Sequence, residues 1–575
     1  MDQRRVLLAF VLMALVLVAS QWWYSRLSPP PEPPAPADTT RVVEPDTAAR
    51  PLAGRPDTAA VPADTVERPA VPADTAVALA DTAVAPGNRL LGGAEAPDAV
   101  VIETPLYRAR LLPLGALLEQ VELLRYPSFT SDTSAVLLVP ADAVFLRRAA
   151  DLGDTRLRLD DLTYAPSDTL LSLVEGDSGR TLEFAWEGGG RRIVHTYRFR
   201  PGSYVVDYRL SIGGQEEGVL VTGFSPRLQS NEKNPGDDYN QMRAVARVDG
   251  EILTRSAGDV DEGETVSLGG RIDWAGMKNK YFLAMLLAPP DGAPLTAATF
   301  RGATGDSLPT LEVAVAAPLT GGEAGYRLYL GPQEYRRLAA LNEGLDDVNQ
   351  YGWSWIRWMI TPFAKWIVII MIWLHAFIPS YGLVLIVFGV MVRLVMWPLT
   401  VKSYRSIQAM QELQPEIQRI REQHKEDPQK MQQETMRLYR EKKVNPLGGC
   451  LPNLLPMPIL FALFFVFQST IELRNQPFLW MADLSQPDPI YILPVFMGLT
   501  MYASSKMMTT DPKMSAMTYV MPIVLTFVFL NLAAGLVLYY AFSNLLTFGQ
   551  QYWMRRGMQR TEASEEEAAG KDEEG

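Results

Sequence analysis

Four hydrophobicity patterns follow one another along this chain of 575 residues. The first is a short apolar run, Val6–Ser20, preceded by Arg4 and Arg5 and followed by Gln21-Trp22-Trp23-Tyr24. A basic flank before the run and aromatic residues after it predict a membrane anchor over residues 1–24 with its N-terminus in the cytoplasm. Val18-Ala19-Ser20 resembles a signal-peptide cleavage site only weakly, so the aromatic belt favours a retained span over a cleaved leader. In residues 25–89 the periodicity disappears. Variants of Pro-Ala-Asp-Thr-Ala recur there, with few large apolar groups to bury, which predicts a disordered extracytoplasmic linker.

From residue 90 the pattern changes to alternation. Apolar and polar positions alternate in Ala99–Tyr107, Arg191–Arg198, Ser203–Ile212, Leu311–Ala316 and Tyr326–Leu330. Glu187–Gly190, Gly213-Gly214 and Pro289–Gly292 separate such runs as turns. Short strands at this spacing predict an antiparallel β-sandwich over residues 90–347. Its last stretch, Gly331–Asp347, reads as a polar helix.

The rest consists of long apolar runs. Residues 348–379 combine five tryptophans, Trp353, Trp355, Trp358, Trp366 and Trp373, with Arg357, Lys365 and Pro362. Residues 380–400 follow, long enough to span at about 20 residues. If both segments crossed, the next loop, rich in lysine and arginine, would face outward. The positive-inside rule therefore predicts one crossing, with 348–379 an interfacial amphipathic helix. Residues 401–446 form a basic cytoplasmic helical hairpin, with Ile407, Met410, Leu413, Ile417 and Ile420 at helical spacing and a break at Glu426-Asp427-Pro428. Further spans are expected at 447–470, 489–505, 517–531 and 535–553. Residues 471–488 then lie outside, with 506–516 and the tail 554–575 inside.

One charge interrupts the second span. Arg393 sits within Ser380–Thr400, where a guanidinium in hydrocarbon costs at least about 2.5–3.5 kcal/mol. It either faces a protein interior or water-filled cavity, or snorkels to the cytoplasmic interface about two helical turns away. Uncharged polar residues are sparse in the later spans: Asn453, Gln468, Thr500, Thr526, Ser543, Asn544 and Thr547.

Composition narrows the function. The formal net charge of −12 argues against a nucleic-acid binder. Cys450 is the single cysteine, so no intrachain disulfide forms. His195, His375 and His424 lack ligand spacing, and no metal, nucleotide or nucleophile motif occurs. The chain is expected to be neither an enzyme nor dependent on a cofactor or metal. Two rivals are a transporter or channel using Arg393 as an anion counter-charge, and a carbohydrate- or lipid-binding envelope protein acting through its β domain.

From Tyr351 to Gln559 the sequence resembles the YidC/Oxa/Alb family of membrane protein insertases. The resemblance rests on VMVRLVMWPLT around Arg393, Glu441–Leu463, Phe478–Gly498 and Gly535–Gln551. The N-terminal anchor and large outer domain resemble its Gram-negative branch. The resemblance implies a polytopic α-helical membrane protein with six transmembrane helices, a five-helix insertase core and an extracytoplasmic all-β supersandwich domain largely dispensable for insertion. It implies a hydrophilic groove holding Arg393, open to the cytoplasm and lipid and closed outside. It implies substrate contacts at Leu454, Met457, Pro458 and Leu460 on the third span and Thr526 and Val528 on the fifth, and a tyrosine pair at Tyr539 and Tyr540. The cytoplasmic loop would act through Lys402, Arg405, Arg419, Arg421, Lys442 and Lys443. Implied partners are nascent membrane proteins, a Sec translocon, ribosomes through the cytoplasmic loops, and membrane lipids. Gly389, Pro456 and Val528 depart from the family pattern. So does the acidic tail after Arg560, which would repel rRNA.

Overall fold

The computed structural model describes residues 98–130, 135–139, 145–153, 155–214, 216–224, 228–305, 308–353, 355–425, 427–442, 444, 457–508 and 515–573. The expected anchor and linker, together with Leu454 and Lys443, lie outside the described residues.

Alternation produces the sheets. Tyr107–Leu112 and Arg191–Phe199 bury every second side chain, so each strand gives one face to the core. A five-stranded sheet runs, in spatial order, Val136–Val139, Leu117–Leu123, Tyr107–Leu112, Val100–Glu103 and Leu170–Ser172. Its last pair is parallel, whereas the larger 14-stranded sheet is antiparallel in all its named pairings. Gly189 and Gly190 both take positive φ, 59° and 76°, which lets a two-residue turn join Arg180–Gly188 to Arg191–Phe199. Arg148 is the largest polar side chain in this core. Its guanidinium lies 4.4 Å from the Tyr208 ring centroid and donates from Nε to the Tyr326 hydroxyl at 2.9 Å.

Two expectations fail locally. Ala99–Tyr107 is two strands rather than one. The Thr104 hydroxyl accepts from the Leu106 and Tyr107 amides and donates to the Tyr107 carbonyl, which turns the chain between them. Gly331–Asp347 is not one helix. Gly331 and Pro332 end a strand, the helix is only Tyr335–Ala340, and Asn342 and Gly344 take positive φ after it.

Among the described residues eight longer helices follow: α1 (Arg357–His375), α2 (Tyr381–Glu412), α3 (Gln414–Gln423), α4 (Pro428–Glu441), α5 (Met457–Ser469), α6 (Ile492–Met508), α7 (Ser515–Phe529) and α8 (Ala534–Glu573). By length and composition α1 and the Tyr381–Lys402 part of α2 are each able to cross a membrane. α1 packs on α5 and α2, α2 on α8, α8 on α6, and α6 on α7. Gly498 makes the last contact possible, because a Cβ there would sit 2.1 Å from the Thr526 hydroxyl.

The break expected at Glu426-Asp427-Pro428 falls between the end of α3 at Gln423 and the start of α4 at Pro428. Asp427 accepts from the Gln429 and Lys430 amides to start α4. Leu413, Ile417 and Leu438 bury between α3 and α4, forming a small hairpin core at one end of the bundle. The β domain sits at the other end. There Lys365 in mid-α1 pairs with Asp347, and Arg336 donates to the Ile372 carbonyl at 3.3 Å. α1 therefore runs alongside the domain for at least two turns.

Glu472, just after α5, accepts from the Tyr335 amide at 3.0 Å. Burial pushes its carboxyl up to about 7, helped by the Glu334 charge and opposed by backbone hydrogen bonds. The folded protein then holds this proton more tightly than the unfolded chain. The contribution is full below the unfolded value of about 4.5 and is lost as pH rises through 7. We expect thermal stability to fall between those limits and Glu472→Gln to flatten that part of the profile, as read by pH-dependent unfolding of the full chain.

Candidate functional site

The helical core stops halfway along the bundle. On α2 the buried residues are Tyr381, Val384, Leu385 and Phe388, with Gly389 behind them; beyond Gly389 no described α2 side chain is buried before Glu412. On α5 burial begins at Ala462 and continues through Phe467, toward the domain end. On α6 it ends at Thr500, and on α8 the cluster shared with the other helices ends at Ala541, with Met554 buried separately three turns further on. With α1, whose Ile360, Ala364, Ile367 and Met371 join the same cluster, five of the described helices share one apolar layer at the domain end. Toward the hairpin end the apolar core ceases while the helices continue.

Arg393 lies one turn beyond Gly389, in that second half. Its Nη2 donates to the Ser543 carbonyl at 3.3 Å and, more closely, to the Thr547 hydroxyl. Thr547 in turn donates to the Ser543 carbonyl at 2.7 Å. No carboxylate pairs with Arg393 among the described residues. Trp397 and Trp553, 5.9 Å apart by ring centroid, mark a level one turn further on. Arg393 therefore points across to α8 rather than out along its own helix toward that tryptophan level.

The α8 surface opposite is a polar stripe. Ser543, Thr547, Gln550 and Gln551 recur at helical spacing on one face. Gln550 and Gln551 are buried, and the Gln550 Nε2 has no partner among the described residues. Gln551 accepts from the Ser504 hydroxyl on α6 at 3.0 Å. The sequence reading picked out Ser543 and Thr547 but missed Gln550, Gln551 and Ser504. The i, i+4, i+7, i+8 spacing was the available signal.

The other expected site residues divide. Tyr539 is buried against Phe388 at 6.1 Å, and Tyr540 packs edge-on to Phe529 at 5.1 Å, so the pair closes the dry layer immediately above the stripe. Pro458 and Leu460 are half-buried on α5, which Met457 opens. Thr526 faces Gly498, and its hydroxyl donates back to the Pro522 carbonyl at 2.7 Å. Val528 is half-buried, whereas Ile523 and Phe527 on the same helix are exposed at 58% and 62%. Lys402 and Arg419 are exposed, Arg405 lies on α2, and Arg421 on α3 is half-buried and partnered. Lys442 pairs with Glu416 across the hairpin at 3.5 Å.

This arrangement is that of a helical membrane protein whose bundle is apolar beside a β-rich domain and polar around Arg393 further away. Two family models match it: one described as 60Kd inner membrane protein over residues 373–562, the other as YidC periplasmic domain over 99–366. The membrane protein insertase YidC of Syntrophus aciditrophicus is 31% identical over 96% of this chain and 99% of its own length. That of Oleidesulfovibrio alaskensis is 32% identical over 97% and 100%. A crystal structure of an active YidC insertase aligns over 80% of this chain and 93% of its own, at 18% identity and a TM-score of 0.35. The chain belongs to the YidC family of membrane protein insertases. Its β domain is the family's periplasmic domain, and the family is one of insertases, not of enzymes.

Proposed function

We propose that this protein inserts nascent inner-membrane proteins through a groove bounded by α2, α6 and α8 and centred on Arg393. The observation that carries the reading is the half-length core, dry beside the periplasmic domain and polar beside the basic hairpin. A substrate's polar flank has about 30 Å of hydrocarbon to cross. A wet half-cavity shortens that path, and the fixed charge of Arg393 attracts acidic residues in the moving segment. The apolar segment then leaves into lipid along α5 and α7, so hydrophobic partitioning drives the step.

In the topology proposed, both termini and the hairpin are cytoplasmic and six helices span, the first within residues 1–24. α1 lies in the outer interface. Its ion pair to Asp347 and the Arg336 bond support this, because a crossing helix would leave the domain within a turn or two. Arg405, Arg419 and Lys443 on or beside the hairpin are proposed to meet ribosomes. A Sec translocon is a proposed partner for longer substrates.

Photocrosslinkers at Met457 and Val528, tested against stalled nascent chains in vesicles, check the route. Both are expected to capture the apolar segment, Phe527 at least as well, and Thr526, turned toward Gly498, several-fold less. Capture at none of the α5 and α7 positions would contradict the reading.

A further inference from the structure

Residues 470–491 join α5 to α6 and lie across the domain end of the bundle. Two aspartates shape this plug. The Asp488 side chain accepts from the Ile490 and Leu493 amides and the Trp480 indole, and Asp483 accepts from the Asn475 and Ser485 amides. The plug is tied downward to α8. The Leu484 carbonyl accepts from Gly535 at 2.8 Å and the Gln486 carbonyl from Ala534 at 2.7 Å.

One side chain leaves the plug in the opposite direction. Arg474 enters the periplasmic domain, where its side chain is 1% exposed. Its Nε donates to Glu232 Oε1 at 2.8 Å and its Nη2 to the Pro127 carbonyl at 2.8 Å. The guanidinium sits 4.7 Å from the Phe129 ring centroid and 5.8 Å from those of Tyr281 and Phe282. Glu232 is 6% exposed. A buried pair of this kind adds little net stability over an apolar contact, yet removing one partner strands the other charge. Such a pair selects one placement of the two parts and penalises the rest. The flat guanidinium also needs its carboxylate, carbonyl and ring partners at once, which fixes orientation as well as distance.

We propose that Arg474 is a positioning residue that keys the plug to the periplasmic domain, so that the domain holds the outer end of the bundle shut. The purpose of that seal rests on the groove reading above; the keying itself does not. The domain then has a task separate from driving insertion. It stops the plug from opening while the opposite end is wet.

Hydrogen exchange of the full-length protein in lipid nanodiscs tests this without reference to substrates. Arg474→Gln is expected to speed exchange of peptides covering 471–491 at least tenfold, with peptides from α3 and α4 unchanged. Glu232→Gln should do the same to a lesser degree. The double substitution should be no worse than Arg474→Gln alone, because both remove one interaction. Arg474→Lys, which keeps the charge but not the planar fork, should restore part of the protection. Unchanged exchange in Arg474→Gln would overturn the proposal. So would additive effects, or a lysine no better than glutamine. A fully active Arg393→Ala variant with a protected plug would refute the groove and leave the keying intact.

Discussion

Arg393→Ala is expected to cut insertion of substrates with acidic translocated flanks by about tenfold or more, while Arg393→Lys retains most of it. Two charges 4 Å apart attract by about 4 kcal/mol at an effective dielectric of 20, and about 1.4 kcal/mol is a factor of ten in rate. Water in the proposed groove would screen much of that attraction, so about tenfold is the expectation. The substitution is structurally mild. The Ser543 carbonyl keeps its bond from Thr547 when the guanidinium is gone, and no carboxylate partner is stranded among the described residues. Lysine keeps the charge but cannot hold Ser543 and Thr547 together with one planar group. Substrates with neutral flanks should respond little to either change. Pulse-labelled insertion in a depletion strain, comparing acidic and neutralised flanks of one substrate, reads the difference.

Asp488→Ala is expected to give the largest loss of stability in the helical region, on the order of 3 kcal/mol. Asp488 is fully buried, and its carboxylate accepts from three donors. Each buried donor left without a partner costs about 1–3 kcal/mol, partly recovered by relaxation. The Leu493 amide belongs to the first turn of α6, where loss of a capping side chain costs about 1 kcal/mol by itself. Asp488→Asn keeps one acceptor oxygen and should lose less than half as much. Thermal unfolding of the detergent-solubilised full chain, followed by tryptophan emission, ranks the two. A melting temperature unchanged in both variants would show that the plug contributes nothing to the bundle.

How much of this was legible follows from the range of each interaction. The β domain was readable because alternation is local, and its strands keep their faces even where Thr104 breaks one in two. The helix expected over Gly331–Asp347 failed because polar composition said nothing about the backbone reversals at Asn342 and Gly344. Arg393 stood out as a charge within an apolar run. Its polar surroundings did not, because nothing in the sequence ties Gln550 and Gln551, near the end of the last expected span, to another helix. Only the fold turns them toward Ser504 and the bundle interior. Arg474 was beyond reach. Its partner Glu232 lies 242 residues earlier, in a different domain.

Everything proposed for function depends on water reaching the half of the bundle beside the hairpin. The direct measurement places Ser543→Cys, one turn deeper than Thr547, in a chain whose single native cysteine is removed by Cys450→Ser. A membrane-impermeant maleimide is then applied from either face of oriented vesicles. The account predicts labelling from the cytoplasmic face and protection from the periplasmic face. A cysteine inert from both sides, in protein that still folds, would mean a solid, dry bundle and contradict it.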